Sequence, residues 1–392
     1  MHTNPFLYFV TLLLFKQKSK HIGAVLISVM IIALLSSVLF LSASLQTTLL
    51  NSVQAESDFS VTRMQAGEPT TTPLAWVDAV SQMSGVQDVA PRIYGRYFFS
   101  PRQESFLVVG VDFFDTQSSV MLQKLIEGID LKAFFATPSM VVGEGVKAFL
   151  EDHYYNDSFS FKTPKGTFKR VKIAQTLPST TNLIANDMVI LPLELAREIF
   201  GLGEEEVTDI TFNVPNDAEW DTIISKLHLL FYDVRVVEKR EVIKSYERLY
   251  NYKGGLFLVL YLITLATFML ILYQRYAMVY STERREIGIL RAVGWSIQDI
   301  LKLKFYETLS VVVVSFILGV VVAYGYVFVL DAPLLIEIFL GGANLPNHVV
   351  LVPTIEFGLL GSIFLLYAIP FLGAVLIPAW QIAVTPPKEA ML

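Results

Sequence analysis

Four stretches free of Asp, Glu, Lys and Arg constrain this chain more than any other feature: Ile22 to Leu45, Gly254 to Gln274, Leu309 to Leu330, and Phe357 to about Ile377. Each approaches or exceeds the roughly 20 apolar residues that a helix needs to cross a bilayer. Helix is the expected form, because hydrocarbon offers no partner to an unpaired backbone group and a helix satisfies its own. A hydrophobic content of 53% agrees with a membrane protein and excludes an ordinary soluble enzyme. Leu41, Leu45, Leu49 and Val53 carry an apolar stripe past the end of the first run, which predicts a helix that extends as a stalk.

Between the first and second runs the composition turns soluble, from about Glu56 to Glu238. Helical periodicity covers Leu74 to Met83 and Glu219 to Leu230, and extended patterns cover Val89 to Phe99, Ser105 to Val111, Val207 to Asn213 and Val234 to Val237. Phe159 and Phe161 alternate with polar residues before the turn Thr163-Pro164-Lys165-Gly166, and Phe168, Val171 and Ile173 return the chain as a hairpin. An α+β domain is expected. The chain has no cysteine, so its core must hold it without disulfides.

Lys and Arg in short loops mark the cytoplasmic side. The amino-terminal segment carries three, Arg275 to Lys304 carries six, the tail has Lys388, and the loop from Asp331 to Ile355 has none. Both termini are therefore expected inside and the α+β domain outside. Asn4 to Phe15 is too short to span and is followed by Lys16, Lys18 and Lys20, which suits a helix lying in the interface rather than a cleaved signal peptide. The expected order is an interfacial helix (1–21), a first span with stalk (22–55), an extracytoplasmic domain (56–240), and a stalk with second span (241–275). A cytoplasmic basic segment (276–307), third span (308–330), outer loop (331–355), fourth span (356–378) and cytoplasmic tail (379–392) follow.

The basic segment ERREIGILRAVGWSIQDILKLKFYE, Glu283 to Glu307, reads as two short helices meeting at a bend. Ile287, Leu290 and Val293 fall at helical spacing, with Glu283, Arg284, Arg285 and Arg291 as polar surface. Gly294 closes the first helix in a backbone conformation that other residues avoid, and Ser296 with Asp299 resembles a capping box opening the next.

On Glu286, Gly288, Arg291, Ala292 and Gly294, this segment resembles the coupling helix of the FtsX-like (MacB/LolC-type) ABC-transporter permeases. The tail adds Pro378, Ala379, Ala383, Pro387 and Ala390 at the spacing of that family's closing motif, while Ile382, Met391 and Leu392 depart from it. The resemblance implies four membrane helices and a MacB-like extracytoplasmic domain whose two-part base carries an insertion, here roughly Phe113 to Glu205. It implies a permease that pairs with a second permease subunit, identical or related, in the bacterial inner membrane and docks a separate cytoplasmic ATPase. ATP would be bound by that partner, and this chain would need no cofactor of its own. Motion would pass through Glu283, Arg284, Glu286, Ile287, Gly288, Leu290, Arg291, Ala292, Val293 and Gly294 to machinery outside the membrane. There an adaptor or substrate protein would engage it, and its spans would contact membrane lipid. In this reading Ile287, Leu290 and Val293 enter an apolar cleft of the ATPase, and Glu286 and Arg291 orient it by paired charges.

The residues themselves agree with work done on another chain's nucleotide. No G-x-x-x-x-G-K-[ST] loop occurs, nor any H-E-x-x-H or G-x-S-x-G, and the five histidines are scattered. No basic patch points to nucleic acid. An FtsX-like regulator of a cell-wall hydrolase is the alternative within the resemblance. An ion-gradient transporter would call for intramembrane carboxylates or duplicated spans, and neither is visible in sequence.

Overall fold

A computed structural model describes residues 12, 18–54, 56–99, 104–113, 131–177, 185–278, 287–340, 351–355 and 357–384. Apart from Leu12 and the stretch from Lys18, the expected interfacial helix lies outside them, as do Glu283, Arg284, Glu286, Pro387 and Ala390. Helix α1 (Lys18–Gln54) takes in the first apolar run and its stalk without interruption. Two compact units emerge, and α1 contributes to both: residues to Ser44 belong to the membrane unit and those from Leu45 to the soluble one.

The soluble unit is built on a sheet of ten strands among the described residues, with path β12-β1-β11-β4-β5-β9-β6-β8-β7. Its strands are β1 (Phe59–Gln65), β2 (Glu68–Thr70, paired with β1), β4 (Gln87–Phe99) and β5 (Glu104–Val111). They continue with β6 (Ser139–Val142), β7 (Ser158–Lys162), β8 (Phe168–Thr176) and β9 (Met188–Pro192). Last come β11 (Asp209–Asn213) and β12 (Val234–Glu238), while β3 (Thr72–Pro73) and β10 (Glu206–Val207) form a separate ladder. The hairpin read from Phe159 to Ile173 is β7–β8, in register Phe159↔Val171 and Phe161↔Lys169. The residues expected to form an insertion do not make a sheet of their own, because β9 pairs in parallel with β5 and carries the ladder straight across.

Helices α2 (Ala75–Ser81), α3 (Leu131–Ala136), α4 (Glu144–Asp152), α5 (Leu193–Phe200) and α6 (Trp220–Leu230) accompany the sheet. Alternation along the strands sends Phe106, Val108, Phe159, Phe161 and Val171 into one core with Phe149 of α4 and Ile199 of α5. Edge-to-face pairs, such as Tyr97 on Phe161 with ring centroids 4.9 Å apart, add specificity to that burial. A second core joins Phe59, Phe212, Trp220, Ile223 and Leu227.

Asp209, the first residue of β11, is fully buried. It accepts two bonds from Arg92, at 3.0 and 2.6 Å, and one from Ser60 at 2.6 Å. Burial alone would lower the Arg92 pKa, but the charge and hydrogen bonds of Asp209 more than reverse this and hold the guanidinium above its ordinary value.

The membrane unit contains four helices long and apolar enough to cross a bilayer: α1, α7 (Lys239–Met278), α8 (Ile297–Phe328) and α10 (Phe357–Val384). The α+β domain therefore lies in sequence between the first and second spans, as the pattern predicts. Helix α7 merges the expected second stalk and second span into 40 residues, and α10 runs through both Pro370 and Pro378. Helix α9 (Pro333–Leu340) replaces what the sequence reads as plain loop. Lys253 Nζ caps its end by donating to the carbonyls of Ile338 and Phe339, at 3.2 and 2.6 Å.

Ile32, Leu35, Tyr261, Phe268, Val312, Tyr367 and Phe371 form a packed centre drawn from all four long helices. Helix α1 is the interior member, with 61% of its apolar window buried against 22 to 33% for the others. Its buried residues include Ser28, Ser36, Ser37 and Ser44, small side chains that let neighbouring backbones come close. Gly319 of α8 sits against Ile32, where an added Cβ would stand 2.7 Å from the Ile32 Cβ. Gly325, further along α8, has nothing within 4 Å of an added Cβ.

Candidate coupling elbow

Residues 287–292 are helical, and the chain then reverses within four residues into α8. Gly294 has φ +107°, a backbone shape that a side chain would strain. Its N–H bonds the Arg291 carbonyl, and the Trp295 N–H bonds the Leu290 carbonyl, both at 3.0 Å. Those two bonds are the paired closure of a Schellman motif, which satisfies carbonyls that the helix end would otherwise leave open. The next helix opens equally firmly. Ser296 Oγ accepts from the Asp299 N–H at 3.2 Å, and Asp299 Oδ2 accepts from the Ser296 N–H at 3.2 Å. One helix is thus stopped and another started by local bonds alone.

The two faces of the elbow differ. Inward, Ile287 is 3% exposed and packs with Ile300 of α8 and with Ile382 and Ala383 near the end of α10. Arg291 donates to the Ala383 carbonyl at 3.0 Å, at the helix end where exposed carbonyls favour a cation. Outward, Ile289 is 50% exposed and Val293 75% exposed, with Ala292 and Gly294 beside them. Leu290 is half-buried and Gly288 buried.

This corrects the expected apolar set. Ile287, Leu290 and Val293 do not share one outward face: Ile287 is used within the chain, Leu290 straddles the boundary, and Ile289 joins Val293 one turn away on the exposed side. Arg291 likewise makes an internal bond, in addition to any pairing with a partner. Ile382, a departure from the resembled tail pattern, is what fills the pocket against Ile287.

A charged cluster lies two turns along α8 that pattern reading passes over. Glu307 is 6% exposed, and its carboxylate meets Lys304 Nζ at 3.1 Å and His21 Nε2 of α1 at 3.2 Å. Thr308 and the α10 residues Phe371 and Val375 complete its surroundings. The sequence reading takes Glu307 as the polar border of the third span. The i, i+3 spacing of Lys304 and Glu307 was the available signal, and His21 is paired only by the tertiary approach of α1. Among the described residues no group of three or more His, Asp or Glu is placed to hold a metal.

Four long apolar helices, one of them opened by a doubly capped elbow, define a membrane-spanning class of domain. Residues 258–387, a third of the chain, match the FtsX-like permease C-terminal family model. Two solved structures are similar to about half of the chain. One is the periplasmic region of MacB from Actinobacillus actinomycetemcomitans, at 11% identity and TM-score 0.31, covering 49% of this chain and 94% of that one. The other is the extracellular domain of the noncanonic ABC-type transporter YknZ from Gram-positive bacteria, at 7% identity and TM-score 0.29, covering 46% and 99%. No curated protein matches the chain.

Proposed function

We propose that the chain is the permease subunit of an ABC transporter and that a separate cytoplasmic ATPase subunit docks on the elbow. Two permease subunits, identical or related, pair in a bacterial inner membrane with both termini inside and the α+β domain outside. ATP is bound and hydrolysed by the partner. Closure of the ATPase pair pushes on the elbow and is passed through α1 and α7 to the α+β domain, which exports or extracts a substrate that need not cross the bilayer.

The observation that carries this reading is the two-sided elbow. Its inner face is clamped by Ile287, Ile300 and Arg291, so a load applied to the outer face at Ile289 and Val293 moves α8 and α10 instead of bending a loop. The uninterrupted run of α1 and of α7 supports the second part, because a helix transmits axial displacement where a flexible linker would absorb it.

Purification of the full chain from its native membrane tests the first step: an ATPase subunit is expected to accompany it. Val293→Glu places a charge on the docking face and is expected to weaken the association about tenfold, or roughly 1.4 kcal/mol. If no nucleotide-hydrolysing protein accompanies the chain, or Val293→Glu leaves the association intact, the proposed docking fails.

A further inference from the structure

Between the first turns of α8 and the last turns of α10 runs an open groove of about 690 Å³, inside the range of roughly 300–1,000 Å³ typical of ligand sites. Its walls are Leu301 and Phe305 on one side and Leu376, Ile377 and Trp380 on the other. Its one charged lining residue is Lys302. The α8 wall lies in the turns just before the charge-free run that begins at Leu309, and the α10 wall at the end of its own run, so the groove sits where both helices meet the membrane boundary. The elbow offers Ile289 and Val293 to a partner, whereas the groove begins only at Gln298.

The composition at this level is that of a membrane boundary. Trp380 and Tyr306 are amphipathic rings of the kind that settle where headgroups meet acyl chains, and both line the groove. Lys302 makes no close ion pair among the described residues, and its charge acts on Asp299, three positions before it on α8. The nearest acid in sequence, Asp299, has its carboxylate engaged by Ser296, with Ser296 Oγ at 2.6 Å. An apolar trough with a single ammonium in its lining matches a molecule with an acyl chain and an anionic head.

We propose that this groove binds an acidic phospholipid of the inner leaflet, its acyl chain lying along Leu301, Phe305, Leu376 and Ile377 and its phosphate held by Lys302. The leaflet rests on the orientation given under Proposed function, and the binding itself does not. A lipid seated here bridges α8, which the elbow opens, to α10, which anchors Arg291, so it stiffens the pair of helices that the proposed partner would push.

The test uses the full chain reconstituted without any ATPase, in vesicles of phosphatidylcholine containing a minor fraction of either dibrominated phosphatidylcholine or dibrominated phosphatidylglycerol. The signal is the tryptophan fluorescence that Trp380→Phe removes. Brominated phosphatidylglycerol is expected to occupy the groove about fivefold more readily than brominated phosphatidylcholine, the preference that one lysine beside an anionic headgroup supplies. Lys302→Glu should abolish the preference while leaving contact quenching by either lipid. Equal quenching by both lipids in the wild-type chain would mean ordinary boundary lipid and overturn the proposal. Absence of quenching by either would mean that a second copy of the chain covers the groove, and would overturn it too. Retention of phosphatidylglycerol in native mass spectra, lost on Lys302→Glu, gives an independent reading if Trp380→Phe disturbs folding. Because no ATPase is present, a negative result removes the lipid site and leaves the docking proposal standing, while failure of an ATPase to co-purify leaves the lipid site intact.

Discussion

The soluble unit and the membrane unit bury a carboxylate in opposite ways. In the soluble unit Asp209 is a buried strand residue met by the two-pronged Arg92 guanidinium and by Ser60, all on strands whose register already brings them together. In the membrane unit Glu307 is met by a lysine on its own helix and by a histidine on another, with no ladder to set the distance. The first is a structural pin. The second depends on two helices keeping their places, so it reports on whether they do.

The largest effect that separates the two is expected from Asp209→Ala. It removes the fully buried carboxylate that holds the Arg92 guanidinium and Ser60, and should destabilise the soluble unit by about 4 kcal/mol, read as rapid proteolysis within residues 56–240 while the spans remain protected. Wild-type protease resistance would show that the ladder alone holds the unit. Glu307→Ala should cost less, about 3 kcal/mol, because it loses a point-charge lysine pair and a histidine contact instead of a two-pronged guanidinium clamp. Its mark should be a lower melting temperature in detergent with the soluble unit still resistant to protease. If the two variants fail in the same way, the contrast between pin and reporter is wrong.

Helix packing gives the next step down. Gly319→Val drives a branched side chain into Ile32 and should cost about 2 kcal/mol, while Gly325→Ala, in open space, should leave the melting temperature unchanged. Equal effects at the two glycines would place the close approach elsewhere. The smallest shift is expected from Ser296→Ala, about 1 kcal/mol from loss of the cap that starts α8.

What could be read in the sequence follows from how local each feature is. The four spans are continuous runs without charge, the hairpin at Thr163 to Gly166 carries its own turn, and the closure at Gly294 and the cap at Ser296 need only residues within five positions. All of these were legible. Strands β1, β6 and β9 were not, because their faces are set by partners such as Phe212, Ile173 and Val108, far away in sequence. Helix α9 escaped because eight residues show barely two turns, although Pro333 at its first position was a start signal. At the elbow the period was right and the facing was not. A helix in isolation does not say which apolar side a neighbour will take, and here the end of α10 takes Ile287.

Site-specific photocrosslinking in native membranes, with a reactive residue placed in turn at 289, 293 and 287, tests the central claim most directly. Crosslinks from 289 and 293 to an ATP-hydrolysing subunit, with 287 reacting only within the chain, are the predicted result. Crosslinks from 289 and 293 that never reach such a subunit, or reach only proteins on the same side of the membrane as the α+β domain, would contradict it.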